Sequence, residues 1–102
     1  METMTIDEVS ELWADDCYKR VTVAESGPVL NDEYSRDEWY TETYGSFWGK
    51  VGEIADILKK SIEWPFEPLE VSRDRKVLFD GHHRSNAALL VGWDKPIPVD
   101  SW

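Results

Sequence analysis

A chain of 102 residues, 41% hydrophobic and with the single cysteine Cys17, has the length of one domain whose core needs no disulfide or cysteine-zinc staple. Twenty-one acidic residues face 11 basic ones, a formal net charge of −10, and nucleic-acid affinity comes largely from Lys and Arg displacing counterions, so direct DNA or RNA binding is disfavoured. With no basic-then-apolar leader and no apolar run of about 18 residues, a cytoplasmic protein without a membrane span is expected.

Thr5 and Glu8 have capping-box spacing, and Ile6, Val9, Leu12 and Trp13 follow on one helical face. A helix is predicted from Ile6 to Asp16, with Cys17 a packed thiol beyond it. Arg20 to Ala24 alternate, Val21 and Val23 on one side, and read as a short strand ended by Gly27-Pro28. Residues 29–46 show no clear period: Tyr34, Trp39, Tyr40 and Tyr44 alternate with Asp32, Glu33, Asp37, Glu38 and Glu42. They form either a surface loop or short helix covering the core edge, or a partner-binding patch with Tyr34, Trp39 and Tyr40 as anchors. Base stacking does not suit aromatics set among acids, because it needs a positive groove alongside.

Phe47, Trp48, Val51, Ile54, Ala55, Leu58 and Ile62 recur at three- and four-residue steps and predict a helix stopped by Pro65. Pro68 to Ser72 and Lys76 to Asp80 read as two strands joined by a charged turn. A helix from His82 to Val91 closes at Gly92, with Trp93 packed beneath that end. Pro96 to Val99 is a last extended segment, confined by its prolines to a sheet edge or to strand ends. The six tryptophans are expected mostly in the core and at its edge. The predicted class is α+β, a small mixed sheet flanked by helices.

The chemistry concentrates at Val77 to Leu90, where a strand turns through Asp80-Gly81 into a helix. Such a turn gathers free N–H groups and the positive dipole end at one point, and Gly81 lets the backbone approach a ligand. His82, His83 and Arg84 lie in the first turn, where cations oppose the dipole, so an anion is expected there and phosphate is the first choice. Asp80 is either the helix N-cap or a magnesium ligand, and Arg84 alternatively forms a structural ion pair with Asp80 or Glu70. Metal binding by His82 and His83 is set aside, since adjacent side chains point apart and no third ligand is evident.

The order of these elements from Phe47 to Val99, with Gly81-His82-His83-Arg84-Ser85-Asn86-Ala87 at their centre, resembles the ParB/sulfiredoxin superfamily. The box is similar to the Gly-x-x-Arg-x-x-Ala and Gly-Cys-His-Arg boxes with which those families hold CTP and ATP. The resemblance implies a ParB/sulfiredoxin-like domain over 1–102, with 1–46 an acidic N-terminal extension. It further implies ATP or CTP with Mg2+ bound through Gly81, His82, His83, Arg84 and Asn86, and through Ser72 and Arg73 of the strand lining the pocket. His82 stands where sulfiredoxins carry the catalytic cysteine, which argues against sulfinic acid reduction. Two functions follow as expectations. One is a nucleotide-phosphate-binding module, with NTPase or phosphoryl-transfer activity unassigned to any residue. The other is a catalytically inactive module of phage or mobile-element type that binds a host protein through its acidic, aromatic first half.

Overall fold

A computed structural model describes residues 2–15 and 20–102. In chain order the elements are β1 (Thr3–Met4), α1 (Ile6–Ser10), β2 (Trp13–Ala14), α2 (Val23–Ser35), α3 (Glu38–Tyr44), α4 (Phe47–Lys59), β3 (Leu69–Ser72), β4 (Val77–Asp80), α5 (His82–Val91) and β5 (Ile97–Ser101). The strands form one sheet in the order β1-β5-β3-β4-β2, antiparallel at β1/β5 and β3/β4 and parallel at β5/β3 and β4/β2. A mixed sheet with helices is the α+β class expected.

Alternation along the strands decides what the sheet buries. Leu69, Val71, Leu78, Ile97 and Val99 are shielded on one face, while Glu70 and Asp100, between them in sequence or next to them, are exposed. The shielded face meets Val9, Leu12, Val23, Leu30, Phe47, Val51, Leu58, Ala87 and Ala88 in the core. The shortest principal extent is 18 Å, as one sheet layer under one helical layer requires. Helix α5 is central and touches α1, α2 and α4. Residues 2–46 are therefore no extension: they supply two strands, three helices and part of the core.

Local signals explain where the first half departs from expectation. The Thr5–Glu8 box is present, with Thr5 N–H donating to Glu8 Oε1 (3.0 Å) and Glu8 N–H to Thr5 Oγ1 (3.2 Å). Helix α1 nevertheless ends at Ser10 instead of reaching Asp16, because Trp13 N–H donates to the Lys76 carbonyl (2.8 Å) and draws the chain into the sheet beside β4. Asp16 and Cys17 lie outside the described residues.

The strand expected over Arg20–Ala24 survives only as a bridge between Thr22 and Trp13. A second box overrides it: the Glu25 carboxylate accepts from the Thr22 N–H (3.3 Å) and hydroxyl (2.8 Å) and starts α2. Gly27-Pro28 does not end the segment but lies inside that helix. Proline removes one donor there, and the carbonyl it deprives belongs to the exposed Ala24, which solvent can reach. Gly27 is needed for a close approach, since a Cβ would strike the Trp48 ring and press on Asn86 Oδ1 of α5.

Helix α4 stops at Lys59, so Ile62 leaves the apolar stripe and is 87% exposed. Strand β5 is interior rather than an edge. Its proline is tolerated because Pro98 precedes the ladder with β3, which begins at Leu69 opposite Val99. Trp93 is buried below the end of α5 as expected. The tryptophans as a group are not core residues, however: Trp39, Trp48 and Trp102 are exposed.

Phe47→Ala should lower the unfolding free energy by about 3–5 kcal/mol through an unfilled cavity. Ile62→Ala should change it by less than about 0.5 kcal/mol. Urea denaturation of the two variants checks both.

Candidate functional site

Strand β4 hands over to α5 through Gly81, whose φ of +105° belongs to the left-handed region. A Cβ at this position would run into Leu69 Cδ2 and lie 3.1 Å from Arg84 Nη2. The space that glycine opens is thus occupied by the protein's own side chains. Arg84 is only 16% exposed, and its Nη1 donates to the Glu67 carbonyl (2.6 Å). Its Nη2 lies 3.4 Å from Asp80 Oδ2. The guanidinium therefore clips the segment before β3 to the first turn of α5. Asp80 is not the helix N-cap, a place taken by Gly81; its carboxylate is the counter-ion of Arg84.

His83 points away from this clip into an aromatic stack. Its ring lies 4.6 Å from Phe47, 5.7 Å from Tyr34 and 5.8 Å from Tyr40, measured between centroids. The Tyr40 hydroxyl makes a short hydrogen bond with His83 Nε2. Burial lowers the His83 pKa to about 4, aided by His82, Lys50 and Arg84 and opposed by Asp80. Burial also raises the Tyr40 phenol to about 12, with Tyr44 adding to the shift. A neutral imidazole and a protonated phenol follow, so the phenol donates and Nε2 accepts.

Asn86 is buried and bridges two helices, its Nδ2 donating to Ser26 Oγ (3.3 Å) and to the His82 carbonyl (2.9 Å). Ser72 and Arg73 are elsewhere. Ser72 pairs with Val77, at the opposite end of β4 from Gly81, about 13 Å away at the usual strand rise. There Ser72 Oγ accepts from Arg75 N–H (3.4 Å) and Arg73 pairs with Glu2. The seven residues assigned to a nucleotide do not form one cradle. Gly81, His82, His83, Arg84 and Asn86 share one helix start, Arg84 and Asn86 already bonded to the protein and His83 to Tyr40. The anion expected among these cations is supplied internally by Asp80.

The aromatic segment is reordered in the same way. Tyr40 is buried and Tyr34 half-buried, stacked at 4.4 Å, so neither serves as the exposed anchor expected. Their period was unreadable because the rings face α4 and α5, not one common helix face. What reaches solvent is Trp39 (67% exposed), Tyr44 (41%) and Trp48 (39%). Trp39 meets Tyr44 edge-on at 6.0 Å, Tyr44 meets Tyr40 at 5.1 Å, and Phe47 carries Trp48 at 5.8 Å. Trp48, expected on the apolar stripe, sits one residue, about 100°, from Phe47, and that offset is the signal in the sequence for its outward position.

The whole chain, residues 1–102, matches the family model described as Mycobacterium phage L5 gene 81 protein. The chain belongs to that family. A member, the gene 81 protein of Mycobacterium phage L5, is 58% identical over 106 residues, covering 97% of this chain and 96% of the relative. No solved structure matches. The resemblance of the Gly81–Ala87 box to ParB and sulfiredoxin proteins is thereby corrected: a phage family accounts for the full length, and no ParB/sulfiredoxin family is found. The arginine of that box has a structural duty here. Among the described residues no helix is long and apolar enough to cross a membrane.

Arg84→Ala should destabilise the fold by roughly 1.5–3 kcal/mol, the usual range for a shielded charged hydrogen bond. Asp80→Ala should cost less than about 1 kcal/mol, because that carboxylate is exposed. Thermal and urea melts separate the two. His83 is neutral when folded and titrates near 6.5 when unfolded, so the unfolded chain binds more protons between about 4 and 6.5. Its contribution is complete above pH 6.5 and is lost as pH falls toward 4. The urea midpoint of the native chain should therefore fall more steeply across this window than that of His83→Phe.

Proposed function

We propose that this phage protein is a non-catalytic binding module that docks a positively charged segment of a host protein on the face formed by α3 and the start of α4. The exposed Trp39–Tyr44–Trp48 surface carries the reading. Tryptophan and tyrosine dominate interface energetics when a partner covers them, and here each is held by a ring beneath it. Carboxylates of Asp37, Glu38 and Glu42 stand on the same helix and its cap, within a chain of net charge −10. Lys50 Nζ already lies 5.1 Å above the Tyr44 ring, so the face accommodates a cation. A basic partner in the host cytoplasm is the complement of such a surface.

The expectation of ATP or CTP with Mg2+ at the start of α5 has less support, because Arg84, the side chain expected to grip the phosphates, already donates to the Glu67 carbonyl and pairs with Asp80. A ligand that binds only the folded chain raises stability by about 2.7 kcal/mol at 100 times its Kd. Melts with ATP, CTP and Mg2+ should show no such rise; a rise abolished by Arg84→Ala would restore the nucleotide reading.

For the preferred reading, a photo-crosslinker at the exposed Thr43 should capture a host protein through a Lys/Arg-rich segment. Capture should weaken with salt and disappear in Trp39→Ala, whose melting should stay close to native, and in Trp48→Ala assayed below the lower melting temperature expected once the ring packed on Gly27 and Phe47 is removed. Crosslinking indifferent to both substitutions, or mapping to an acidic or uncharged segment, would refute it.

A further inference from the structure

We propose that a cleft between α1 and the β3–β4 turn binds a small zwitterion with an apolar body, of the α-amino acid class. The cleft encloses about 240 Å³, below the roughly 300–1,000 Å³ of sites for drug-sized ligands. Its floor is apolar, made by Met4, Leu12 and Val71, all shielded in the core. One wall is acidic, Glu8 and Glu11 from α1 and its cap; the other is basic, Arg73 and Lys76 from the turn.

Opposite charges on facing walls would ordinarily close on each other. Among the described residues no ion pair within 4.0 Å joins these two walls. The charges instead leave a gap that an ammonium and a carboxylate on one small molecule would bridge. The partners these side chains do have leave them competent. Glu8 gives Oε1 to the Thr5 N–H and keeps a second oxygen. Arg73 pairs with Glu2 through Nε and remains half exposed. Among the described residues Glu11 and Lys76 have no ion-pair partner.

Lys76 supplies an independent observation. It is the non-glycine residue with a left-handed backbone among those described, at φ +56°. A lysine pays for that conformation in strain, and its one evident structural service, accepting the Trp13 N–H at the carbonyl, would be given equally by glycine. A cationic side chain on a residue that lines the cleft is what glycine could not provide.

The test is titration of the 15N-labelled chain with L-leucine, L-methionine and L-phenylalanine at millimolar concentration. Saturable shifts confined to residues 4–12 and 71–76 are expected for at least one of them. N-acetylleucine and leucinamide, which lack the ammonium and the carboxylate respectively, should not saturate. Glu11→Gln should weaken the response about tenfold, as loss of one charge-assisted contact does. Lys76→Gly should raise the Tm while weakening binding to a similar degree. Absence of saturable shifts with all three amino acids, equal responses to the blocked forms, or a Lys76→Gly chain that keeps its affinity or melts lower would overturn the proposal. None of these variants touches Trp39 or Trp48, so the result stands apart from host-protein docking.

Discussion

The hydrogen bond between the Tyr40 phenol and His83 Nε2 joins two helices whose residues are 43 positions apart. Helix α3 has seven residues, too short to be stable alone, and it is anchored through this bond and the stack of Tyr34, Tyr40, Phe47 and His83. Once Tyr40 faces the core, its neighbour Trp39 is turned about 100° outward, and Tyr44 one turn later lies at the rim. The exposed aromatic face is therefore a consequence of an inward-facing histidine. A cation at position 83 would face a shielded site, which is why the imidazole stays neutral.

The same helix start shows how a motif reads differently once neighbours are present. Cations at a helix N-terminus oppose its dipole unless an anion offsets them. In this fold the offset is internal: the imidazole of His83 carries no charge, and Arg84 answers Asp80 and the Glu67 carbonyl. Pro65 and Pro68 remove two donors from the segment before β3, so side chains satisfy its carbonyls, with Trp64 Nε1 and Arg84 Nη1 both donating to Glu67. Arg84 thereby belongs to the architecture of the strand start. Phage family membership over the whole length agrees with a chain whose two halves are one packed structure.

Local chemistry made much of the second half legible. The stripe Phe47, Val51, Ile54, Ala55, Leu58 has helical period, β3 and β4 alternate, and Gly92 closes α5 in the left-handed conformation expected of it. The Thr5–Glu8 box likewise identified the start of α1. In each case the deciding forces act within a few residues: side-chain period, a cap, a glycine. The start of α2 was equally local, since Thr22 and Glu25 form a box, but an alternating Val21–Val23 pair and Pro28 masked it.

Tertiary structure alone decided the rest. That α1 ends early follows from the Lys76 carbonyl, 63 residues downstream of Trp13, capturing its N–H. Which of the four rings between Tyr34 and Tyr44 point outward depended on His83 and Phe47, and separation of Ser72 from Gly81 depended on the antiparallel pairing of β3 with β4. By itself the sequence determined the elements from Phe47 onward, the acidic balance and the aromatic content, because these are sums or short-range patterns. It could not determine which polar groups remain available to a ligand, because availability is what is left after distant residues have taken their hydrogen bonds.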